Sequence, residues 1–502
     1  MRSYFLGVDI GTSSVRAVAV DGRGSLASAA QEEYGIITAP GGRVEQDPDA
    51  IFRAFLKVIH ICAETVGAQG GRIEAGGLSC QMHSLMAVGV DGEPLTPLMT
   101  WADTRAGEEA AAVQKIYGAG EIYKRTGCRV RHPMYPLNKV LWLKTNNPDV
   151  FFRKAAKFIT IKEYIIWKLY GVYQADYTIA ASQGYFNIHR QSWDEDIIRE
   201  IIGACPEKFS EIVECTHIFT GIKNEFAVYL GLSPDTPFII GSGDGITAHL
   251  GCGACAKGGF SSTIGTSGAI RLAVERPLLD DKERIWCYSF TRDIWVVGGA
   301  VNNGGIVLNW LKDAFPQQFM DDAKIVEGNI FAVFDKFAAE IPPGSEGLIF
   351  LPHLTGERSP DWNADARGII QGLGIYHSRK HLIRAAMEGI MYRMYDVYRV
   401  LAELAGEKDI IANGGYTYSP VWLQMQADIF NRGIFVSGVK EASALGAALL
   451  SMVALKKAGD PRGSLPVMQP VETIHPVAEH REIYRVTHEK ARDIYERIYG
   501  KP

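Results

Sequence analysis

One short phrase occurs twice in this chain, once near the N-terminus and once at mid-chain. The first copy, DIGTSSVRAVAV, runs from Asp9 to Val20, and the second, TIGTSGAIRLAV, runs from Thr263 to Val274. Each copy is an apolar run, a turn of glycine and hydroxyl residues, and a second apolar run, which predicts a β-hairpin. Such turns let backbone N–H groups and hydroxyls face an anion. The repeat therefore predicts two related domains that hold one polyphosphate, and a chance match between two Gly-Thr-Ser turns is the alternative.

The length of the chain also favours two domains. A chain of 502 residues is too long for one ordinary hydrophobic core. Hydrophobic residues make up 47% and charged residues 22%, as in an average soluble globular protein. The second hairpin follows shortly after the glycine-rich stretch at Asp244. We therefore expect an N-terminal domain over residues 1–243 and a C-terminal domain over residues 244–502.

Charge and hydropathy exclude several classes of partner. The formal net charge of -5 gives no electrostatic reason to expect nucleic acid or an anionic membrane. The longest apolar run, Ala442 to about Leu455, is shorter than the roughly 20 residues of a membrane span. Eight scattered cysteines suit a reducing compartment, and the lone C-x-x-C of Cys252 and Cys255 has no second pair that would indicate a metal site. The sequence therefore predicts a cytoplasmic protein.

Strands and helices alternate along the chain, as in an α/β fold. Asp47 and Pro48 predict the start of a helix that runs to about Val66. Short apolar runs predict strands at Gly76–Cys80 and Phe238–Ile240. Further helices are predicted over residues 381–404, 420–431 and 479–499.

The phosphate-binding system is neither of the two common glycine-rich motifs. The chain has no G-x-x-x-x-G-K-[ST] loop, and no G-x-G-x-x-G stands between a strand and a helix. What remains is two Gly-Thr-Ser hairpins, an acid at the end of the first strand and a late Gly-Gly turn. These parts are similar to those of the nucleotide cleft shared by actin, the heat-shock chaperone ATPases and the sugar kinases.

Three further stretches resemble one family more closely. They are MYPLNKVLWL (134–143), GIIQGL (368–373) with HLIRAAMEG (381–389), and NGGYTYSPVWLQMQAD (413–428). They resemble, in this order, the two signatures and the adenosine-binding segment of the FGGY carbohydrate kinases. With the hairpins, the motifs run in the family's order from Asp9 to about Leu450. The chain is therefore identified as a member of that family.

The resemblance implies a fold and a phosphate donor. The fold would be α/β, with two duplicated actin-like, ribonuclease H-like domains and a central nucleotide cleft, and the cofactors would be ATP and Mg²⁺. The implied nucleotide-binding residues are Gly11, Thr12, Ser13, Ser14 and Arg16 in the first hairpin, Gly265 and Thr266 in the second, then Gly305, Asn309, Gly414, Gly415 and Ser419. Where the family often has a small residue, this chain has Tyr416.

Two aspartates are the candidate catalytic residues. Asp244 follows an apolar strand and lies among Gly241, Gly243 and Gly245, which we expect to leave space for a substrate. The resemblance implies that Asp244 is the general base for a sugar hydroxyl attacking the γ-phosphate, and a helix cap is the alternative role. Asp9 would repel a polyphosphate beside the first turn unless Mg²⁺ lay between them, so Asp9 is also the candidate metal ligand. A structural role in the turn is the alternative for Asp9.

The resemblance implies an acceptor site in two further segments. Gln81, Met82 and His83 follow the predicted strand, and a Met-His pair at this place belongs to the family's sugar site. Asp103 and Arg105 lie in a second substrate segment, although an ion pair at a helix start is the alternative. A structural histidine is the alternative for His83.

The residues of these two segments, GLSCQMHSLM (77–86) and TWADTR (100–105), most resemble the gluconate branch of the family. The implied reaction is ATP-dependent phosphorylation of D-gluconate to 6-phospho-D-gluconate. A carboxylate substrate needs cations, and Arg105, Arg131, His132 and His83 are available.

Other functions stay open. A pentulose kinase for xylulose or ribulose is the main alternative, a glycerol or polyol kinase is less favoured, and a non-enzymatic nucleotide switch of the actin or chaperone kind is remote. A switch needs neither Asp244 nor the Met82–His83 pair. Family members are commonly dimers or tetramers, which is compatible with a homodimer, and neither nucleic acid nor membrane is an expected partner.

Overall fold

The computed structural model describes residues 2–314, 329–460 and 470–500. Within these ranges the strands are β1 (Arg2–Ile10), β2 (Ser14–Val20), β3 (Leu26–Glu33), β4 (Ile37–Ala39), β5 (Arg43–Gln46), β6 (Gly71–Cys80), β7 (Met86–Val88), β8 (Leu98–Met99), β9 (Lys157–Ile159), β10 (Gln174–Asp176), β11 (Phe186–Asn187), β12 (Ser192–Trp193), β13 (Glu211–Val213), β14 (Ile218–Phe219), β15 (Phe238–Gly243), β16 (Phe260–Ile264), β17 (Gly268–Val274), β18 (Trp286–Ser289), β19 (Trp295–Val301), β20 (Ile349–Leu351), β21 (Ile369–Gln371), β22 (Ile410–Asn413), β23 (Ile434–Val436) and β24 (Glu472–Ile474).

The α-helices in the same ranges are α1 (Pro48–Ala68), α2 (Gly107–Val113), α3 (Ala119–Thr126), α4 (Pro136–Asn146), α5 (Ile161–Tyr170), α6 (Tyr177–Ala181), α7 (Asn224–Leu230), α8 (Asp244–Gly251), α9 (Ala254–Lys257), α10 (Ile306–Ala314), α11 (Ile330–Ala339), α12 (Arg379–Ala405), α13 (Pro420–Phe430), α14 (Ala442–Ala454) and α15 (His480–Tyr499). Short π or 3₁₀ turns lie at Gln114–Gly118, Val150–Lys154, Ile197–Ile202, Pro206–Lys208, Ser345–Gly347 and Gly415–Tyr418.

The described residues divide into two compact units. The first unit consists of the described parts of Met1–Gly251 and Glu441–Val467 with Ala273–Val297. The second consists of Cys252–Leu272 with the described parts of Gly298–Lys440 and Met468–Pro502. The domain boundary before residue 244 stays a prediction.

The first unit is built on a six-stranded sheet of order β14-β15-β6-β1-β2-β3. β1 and β2 form the predicted hairpin, with Ile10 opposite Val15 at its turn. β6 is parallel to β1, and β15 is parallel to β6, so three neighbouring strands run in one direction. Helix α1 begins as predicted, because the Asp47 side chain accepts a hydrogen bond of 2.9 Å from the Asp49 N–H and Pro48 is the first helical residue.

Helix α14 packs on this sheet so closely that its backbone contacts the backbone of the strands. A Cβ atom at Gly7 of β1 would lie 1.8 Å from the carbonyl oxygen of Ala444, and one at Gly77 of β6 would lie 2.0 Å from that of Ala447. Because glycine has no side chain, the helix can approach the sheet this closely at these two strand positions.

The second unit repeats the topology of the first. Its sheet contains the order β19-β17-β16-β22-β23-β24. β16 and β17 form the second predicted hairpin, with Ile264 opposite Gly268, and β22 is parallel to β16. The first strand of this hairpin thus has its hairpin partner on one side and a parallel strand on the other. In the first unit, β1 lies between β2 and β6 in the same way. The predicted α/β fold with a duplicated domain is therefore confirmed at the level of strand order.

The predicted helices of the second unit are present with small shifts at their ends, as α12, α13 and α15. The eight cysteines all lie within the described residues and form no disulfide. Among the residues that the structure describes, no helix is long and apolar enough to cross a membrane.

Candidate active site

The carboxyl ends of β1, β6 and β15 meet at one edge of the first sheet. Asp9 is level with Ser79, and Cys80 is level with Gly243. The residues that follow, Gln81 and Asp244, therefore leave the sheet beside Asp9. The carboxyl edge of a parallel sheet is where α/β proteins commonly bind ligands. The strand register brings the predicted catalytic and acceptor residues together.

Asp9 is half-buried and lies close to other charges. The Ser79 hydroxyl donates a hydrogen bond of 2.6 Å to its carboxylate, and Arg16 contributes a positive charge. Burial and the negative charge of Asp244 outweigh these two groups and raise the pKa of Asp9 to about 7. The carboxylates of Asp9 and Asp244 are therefore near enough to repel each other.

Asp244 is the first residue of α8 and is half-buried. Its carboxylate accepts a 2.6 Å hydrogen bond from the N–H of Gly245. The Thr247 hydroxyl, one turn later, lies 2.8 Å from the Ser79 hydroxyl and donates to the Asp244 carbonyl at 3.0 Å. A chain of hydroxyls therefore connects Asp9 to the start of α8. The helix-cap alternative for Asp244 is compatible with this geometry.

The glycines around Asp244 serve packing. Gly241 has φ +67°, and a Cβ there would lie 1.7 Å from the Leu78 carbonyl oxygen, where the pairing of β15 with β6 shifts register. A Cβ at Gly243 would lie 2.7 Å from the Met82 sulfur. The prediction that these two glycines leave space for a substrate is wrong, because Leu78 and Met82 fill that space. Gly243 instead brings Met82 next to Asp244.

The first phosphate turn is held by three side chains from outside the hairpin. Tyr34 donates a hydrogen bond to the carbonyl of Gly11, and the Gln46 amide donates to that of Thr12 at 2.5 Å. The Trp101 indole N–H donates to the Thr12 hydroxyl at 3.0 Å. Ser13 is exposed, so it can be reached from solvent.

Two further residues of the hairpin have partners of their own. Ser14 begins β2 and is buried. Arg16 lies 3.4 Å from Glu441, the residue before α14. Contact of both residues with phosphate stays a prediction.

The predicted acceptor residues Gln81, Met82 and His83 are all buried. The Gln81 amide donates to Gln46 at 3.0 Å, and its own carbonyl oxygen is buried with no protein partner. His83 has φ +64°, and its ring Nε2 is 3.0 Å from the Tyr288 hydroxyl. A non-glycine residue with such a φ is uncommon and is found often at functional sites.

Asp103 and Arg105 form the ion pair that the sequence left as their alternative role. The Arg105 Nη2 atom is 2.6 Å from Asp103 and 2.5 Å from Glu45, and its guanidinium lies 5.0 Å over the Trp142 ring. The Arg105 side chain is 6% exposed and that of Asp103 is 0% exposed. Contact of either residue with a substrate stays a prediction.

Three residues around His83 escaped the sequence analysis as site residues. The Lys139 ammonium donates hydrogen bonds to the backbone carbonyls of His83 and Thr100, at 2.7 and 2.6 Å, and burial lowers its pKa to about 7. Lys139 therefore joins the two predicted acceptor segments. Tyr135 packs edge-on to His83 at 5.4 Å, and its hydroxyl is 3.3 Å from that of Tyr288. A lysine inside an apolar helical pattern was the signal available for Lys139, whereas Tyr288 had none.

In the second unit, the second phosphate turn is joined to the start of α10. Gly265 and Thr266 are exposed. The backbone N–H of Gly305 donates to the Gly265 carbonyl at 2.8 Å, and the N–H of Gly304 donates to that of Thr266 at 3.1 Å. Asn309 is half-buried one turn into α10. The predicted residues Gly265, Thr266, Gly305 and Asn309 therefore lie together.

The predicted adenosine segment follows β22 at the same edge of this sheet. Gly414 has φ +97°, and a Cβ there would lie 2.8 Å from the Ile264 carbonyl oxygen, so this position requires glycine. Gly415 has open space beside it. The Ser419 hydroxyl caps α13 by accepting from the Trp422 N–H at 3.0 Å and donates to Asp335 at 2.6 Å.

The side chain of Tyr416 points into the core. It is 3% exposed, and its hydroxyl donates to Gln426 at 2.7 Å. The larger residue at this position therefore adds no bulk to the surface of the segment.

Comparison with known proteins agrees with this architecture. Residues 4–251 match the N-terminal domain, and residues 260–455 the C-terminal domain, of the FGGY family of carbohydrate kinases. A curated gluconokinase from Bacillus subtilis is 42% identical over 460 residues, which is 91% of this chain and 88% of that protein. This chain belongs to the FGGY family of carbohydrate kinases.

Two solved structures share the fold of this FGGY kinase over nearly its whole length. A gluconate kinase from Lactobacillus acidophilus is 33% identical, with a TM-score of 0.89 over 99% of this chain and 98% of that one. A ligand-bound xylulose kinase from the same organism is also 33% identical, with a TM-score of 0.90 and the same coverage. The predicted two-domain kinase fold is therefore confirmed.

As an FGGY carbohydrate kinase, this chain takes its phosphoryl group from ATP, and Mg²⁺ fits the groups at Asp9. A half-buried carboxylate with a pKa raised to about 7 would be stabilised in its charged form by a divalent cation. In the described parts of the chain, no three His, Cys, Asp or Glu side chains are grouped to hold a metal by themselves. Water and phosphate oxygens would complete the coordination, as Mg²⁺ prefers.

Proposed function

We propose that this kinase phosphorylates D-gluconate at its terminal hydroxyl, giving 6-phospho-D-gluconate. The observation that carries the proposal is the 42% identity to a gluconokinase over 91% of the chain. The site supports it, because Asp9, Asp244 and the segment from Gln81 to His83 meet at one sheet edge.

Asp244 acts as the general base in this proposal. Its half-buried carboxylate is fixed at the start of α8 by the Gly245 N–H, so it can take the proton from an attacking hydroxyl without reorienting. Met82, packed against Gly243, forms the apolar wall beside it. His83 and Gln81 present polar groups that orient the acceptor.

Asp9 is the residue that would hold Mg²⁺, which neutralises charge on the phosphates when bound. The N–H groups and hydroxyls of Gly11, Thr12 and Ser13 would face the phosphates from the first unit, with Ser14 and Arg16 assisting. Within the second unit, Gly265 and Thr266, beside Gly305 and Asn309, are the candidate phosphate-binding residues. Gly414, Gly415 and Ser419 would receive the adenosine.

A pentulose kinase is the second candidate. The ligand-bound xylulose kinase of Lactobacillus acidophilus has a TM-score of 0.90 and 33% identity to this chain. Because the fold comparison does not separate the two substrates, the acceptor site has to decide between them.

The test is ATP turnover in the presence of Mg²⁺ with D-gluconate, D-xylulose, D-ribulose, L-ribulose and glycerol, and with no acceptor. We expect kcat/KM to be highest for D-gluconate. A preference for a ketose would refute the gluconate assignment and leave the kinase site intact. Omitting Mg²⁺ and adding a chelator is expected to abolish turnover with every acceptor.

We also propose that the protein works in the cytoplasm, where ATP is supplied, and that it forms a homodimer. The eight thiols without a disulfide support a reducing compartment. Light scattering of the purified chain measures its mass against 55.2 kDa for one copy.

A further inference from the structure

A pair of arginines, Arg129 and Arg131, lies in the first unit around Glu283. Arg129 Nη1 donates to the backbone carbonyl of Glu283 at 2.9 Å, and Arg131 Nη2 lies 3.1 Å from the Glu283 carboxylate. The Arg131 side chain is 31% exposed and that of Glu283 is 14% exposed. Both guanidinium groups therefore contact the same residue, Arg131 at its carboxylate and Arg129 at its backbone carbonyl, and the Arg131 group is within reach of solvent.

The two arginines repel each other. Burial and the charge of Arg131 lower the pKa of Arg129 to about 10, although Glu283 acts in the opposite direction. The Arg129 guanidinium therefore stays charged at neutral pH. An anion bound between or beside them would relieve the repulsion, as a carboxylate does when it pairs with arginine.

This cluster connects to the histidine of the acceptor site through two tyrosines. The Tyr135 phenol interacts with the backbone of Arg129, and its hydroxyl is 3.3 Å from that of Tyr288. The Tyr288 hydroxyl is 3.0 Å from His83 Nε2. The Asn138 amide fixes the turn that carries Arg131, donating to the carbonyls on either side of it at 2.7 and 2.9 Å.

The strand β18 approaches the cluster from the other side. Glu283 precedes β18, whose Trp286 ring stacks on Tyr288 with centroids 4.5 Å apart. Ring contacts therefore connect the strand that follows Glu283 to His83, through side chains that are all buried. An elongated polyol with a charged end would have that end at the arginines and its reacting hydroxyl at the acceptor residues.

The other arginine that the sequence offered is engaged differently. Arg105 is 6% exposed and contacts two carboxylates, those of Asp103 and Glu45. Its guanidinium is therefore already neutralised by carboxylates of the protein and is less available to a further anion. Among the cations predicted for an acidic substrate, Arg131 is 31% exposed and has a second guanidinium group, that of Arg129, close enough to repel it.

We propose that Arg131, assisted by Arg129, binds the carboxylate of the acceptor and so selects a sugar acid over a neutral ketose or polyol. This inference rests on the proposed function, because it concerns the same acceptor site. In D-gluconate the carboxylate and the phosphorylated hydroxyl are at opposite ends of the carbon chain. Arg131 would therefore hold the end that is remote from Asp244.

The first test compares Arg131→Met with the wild-type full-length chain. Charge-assisted hydrogen bonds are worth enough that we expect KM for D-gluconate to rise about 10- to 100-fold. KM for ATP should change less than about twofold, and Arg131→Lys should recover part of the loss. The matched control is Arg199→Met, which removes an exposed arginine paired with Glu195 at 3.1 Å and should change neither constant.

The second test uses a substitution that should change KM for D-gluconate in the opposite direction. Glu283→Gln removes the carboxylate that competes for Arg131, so KM for D-gluconate should fall. If the ion pair served folding alone, Arg131→Met and Glu283→Gln would instead harm the enzyme in the same direction. This variant also keeps the inference testable if Arg131→Met does not fold.

The outcomes separate this inference from the proposed function. If the wild type prefers a ketose, the gluconate assignment fails and this inference fails with it. If the wild type prefers D-gluconate but Arg131→Met keeps its KM, this inference is wrong and the assignment stands. If Arg131→Met raises KM for D-gluconate more than KM for the neutral analogue D-glucitol, both the assignment and this inference stand.

Discussion

At the scale of single residues, Asp244 determines whether the site is catalytic. Replacing it by asparagine keeps the shape at the start of α8 but removes the base, and general-base assistance contributes about 10²- to 10⁴-fold. We expect Asp244→Asn to lose at least about 10² in kcat while binding ATP normally. Asp235→Asn, at an exposed position before β15, is the matched control. Near-normal kcat in Asp244→Asn would remove Asp244 from its role.

Asp9 gives a prediction about pH. Its pKa is raised to about 7, chiefly by burial, so its charged form is lost as the pH falls through that value. If Asp9 holds the cation, kcat/KM for the Mg²⁺ complex of ATP, which reports on the free enzyme, should fall below about pH 7.

The variant Ser79→Ala tests the assignment of that acid limb. The Ser79 hydroxyl donates to the Asp9 carboxylate and lowers its pKa, so removing it should move the limb to higher pH. A hydrogen bond worth about 1 kcal/mol corresponds to a shift of about 0.7 pH units. A limb that stays in place would show that another group titrates. Ser28→Ala, at a buried serine of β3, is the control.

At the scale of elements, the packing of α14 on β6 depends on Gly77. A Cβ there would lie 2.0 Å from the Ala447 carbonyl oxygen, so Gly77→Ala must push the helix away, at a cost of about 1–3 kcal/mol in unfolding free energy. The control is Gly67→Ala in α1, where a Cβ would meet nothing within 4 Å. That substitution should stabilise the chain by about 0.4–1 kcal/mol. Urea unfolding followed by circular dichroism measures both, and equal effects would contradict the proposed contact.

A buried carboxylate links α12 to the predicted nucleotide loop. Glu357 accepts a 2.8 Å hydrogen bond from the Asn302 N–H, just before Gly304 and Gly305, and its other oxygen is 3.6 Å from Arg393 of α12. Although burial raises its pKa, the neighbouring His353 ring and the Arg393 charge bring the pKa of Glu357 below its ordinary value. Glu357 is therefore an anionic anchor for this loop.

We expect Glu357→Gln to lower kcat/KM for ATP by about tenfold or more, because small displacements of positioning groups are costly. KM for D-gluconate should stay unchanged, since the acceptor residues lie in the first unit. The control is Glu403→Gln, at an exposed position of α12. An equal loss for both substrates would indicate general destabilisation instead.

Sequence reasoning succeeded where an element is determined by its own residues. The hairpin of β1 and β2 and the start of α1 follow from local glycine, hydroxyl and capping residues, and the structure has both. It did not find that Tyr288 reaches His83, or that α14 packs on Gly7 and Gly77, because these contacts join residues distant in sequence. The prediction that the glycines near Asp244 leave space for a substrate failed for the same reason, because the residues that fill that space come from β6 and the turn after it.

At the scale of the whole molecule, the predicted acceptor groups are confined to one unit. Gln81, His83, Arg131 and Asp244 all lie in the first unit, although its segments come from three parts of the chain. D-gluconate added without nucleotide should therefore slow amide exchange at these residues and leave the adenosine segment at 414–419 unaffected. At a ligand concentration about 100 times Kd, binding stabilises by about 2.7 kcal/mol, so amides that exchange only from the unbound state should slow about 100-fold.

The segment that begins at Glu441 should also respond in this exchange experiment, because the fold brings it into contact with Asp244. Helix α14 packs on β1 and β6, and the Ser443 hydroxyl donates to the Asp244 carbonyl at 3.2 Å. If the acceptor binds at Asp244, protection should extend to the start of α14, far along the chain from every other acceptor residue. D-glucitol, which lacks the carboxylate, should give less protection at 129–132 than D-gluconate does. Protection centred on 414–419 would place the acceptor elsewhere and contradict the whole arrangement.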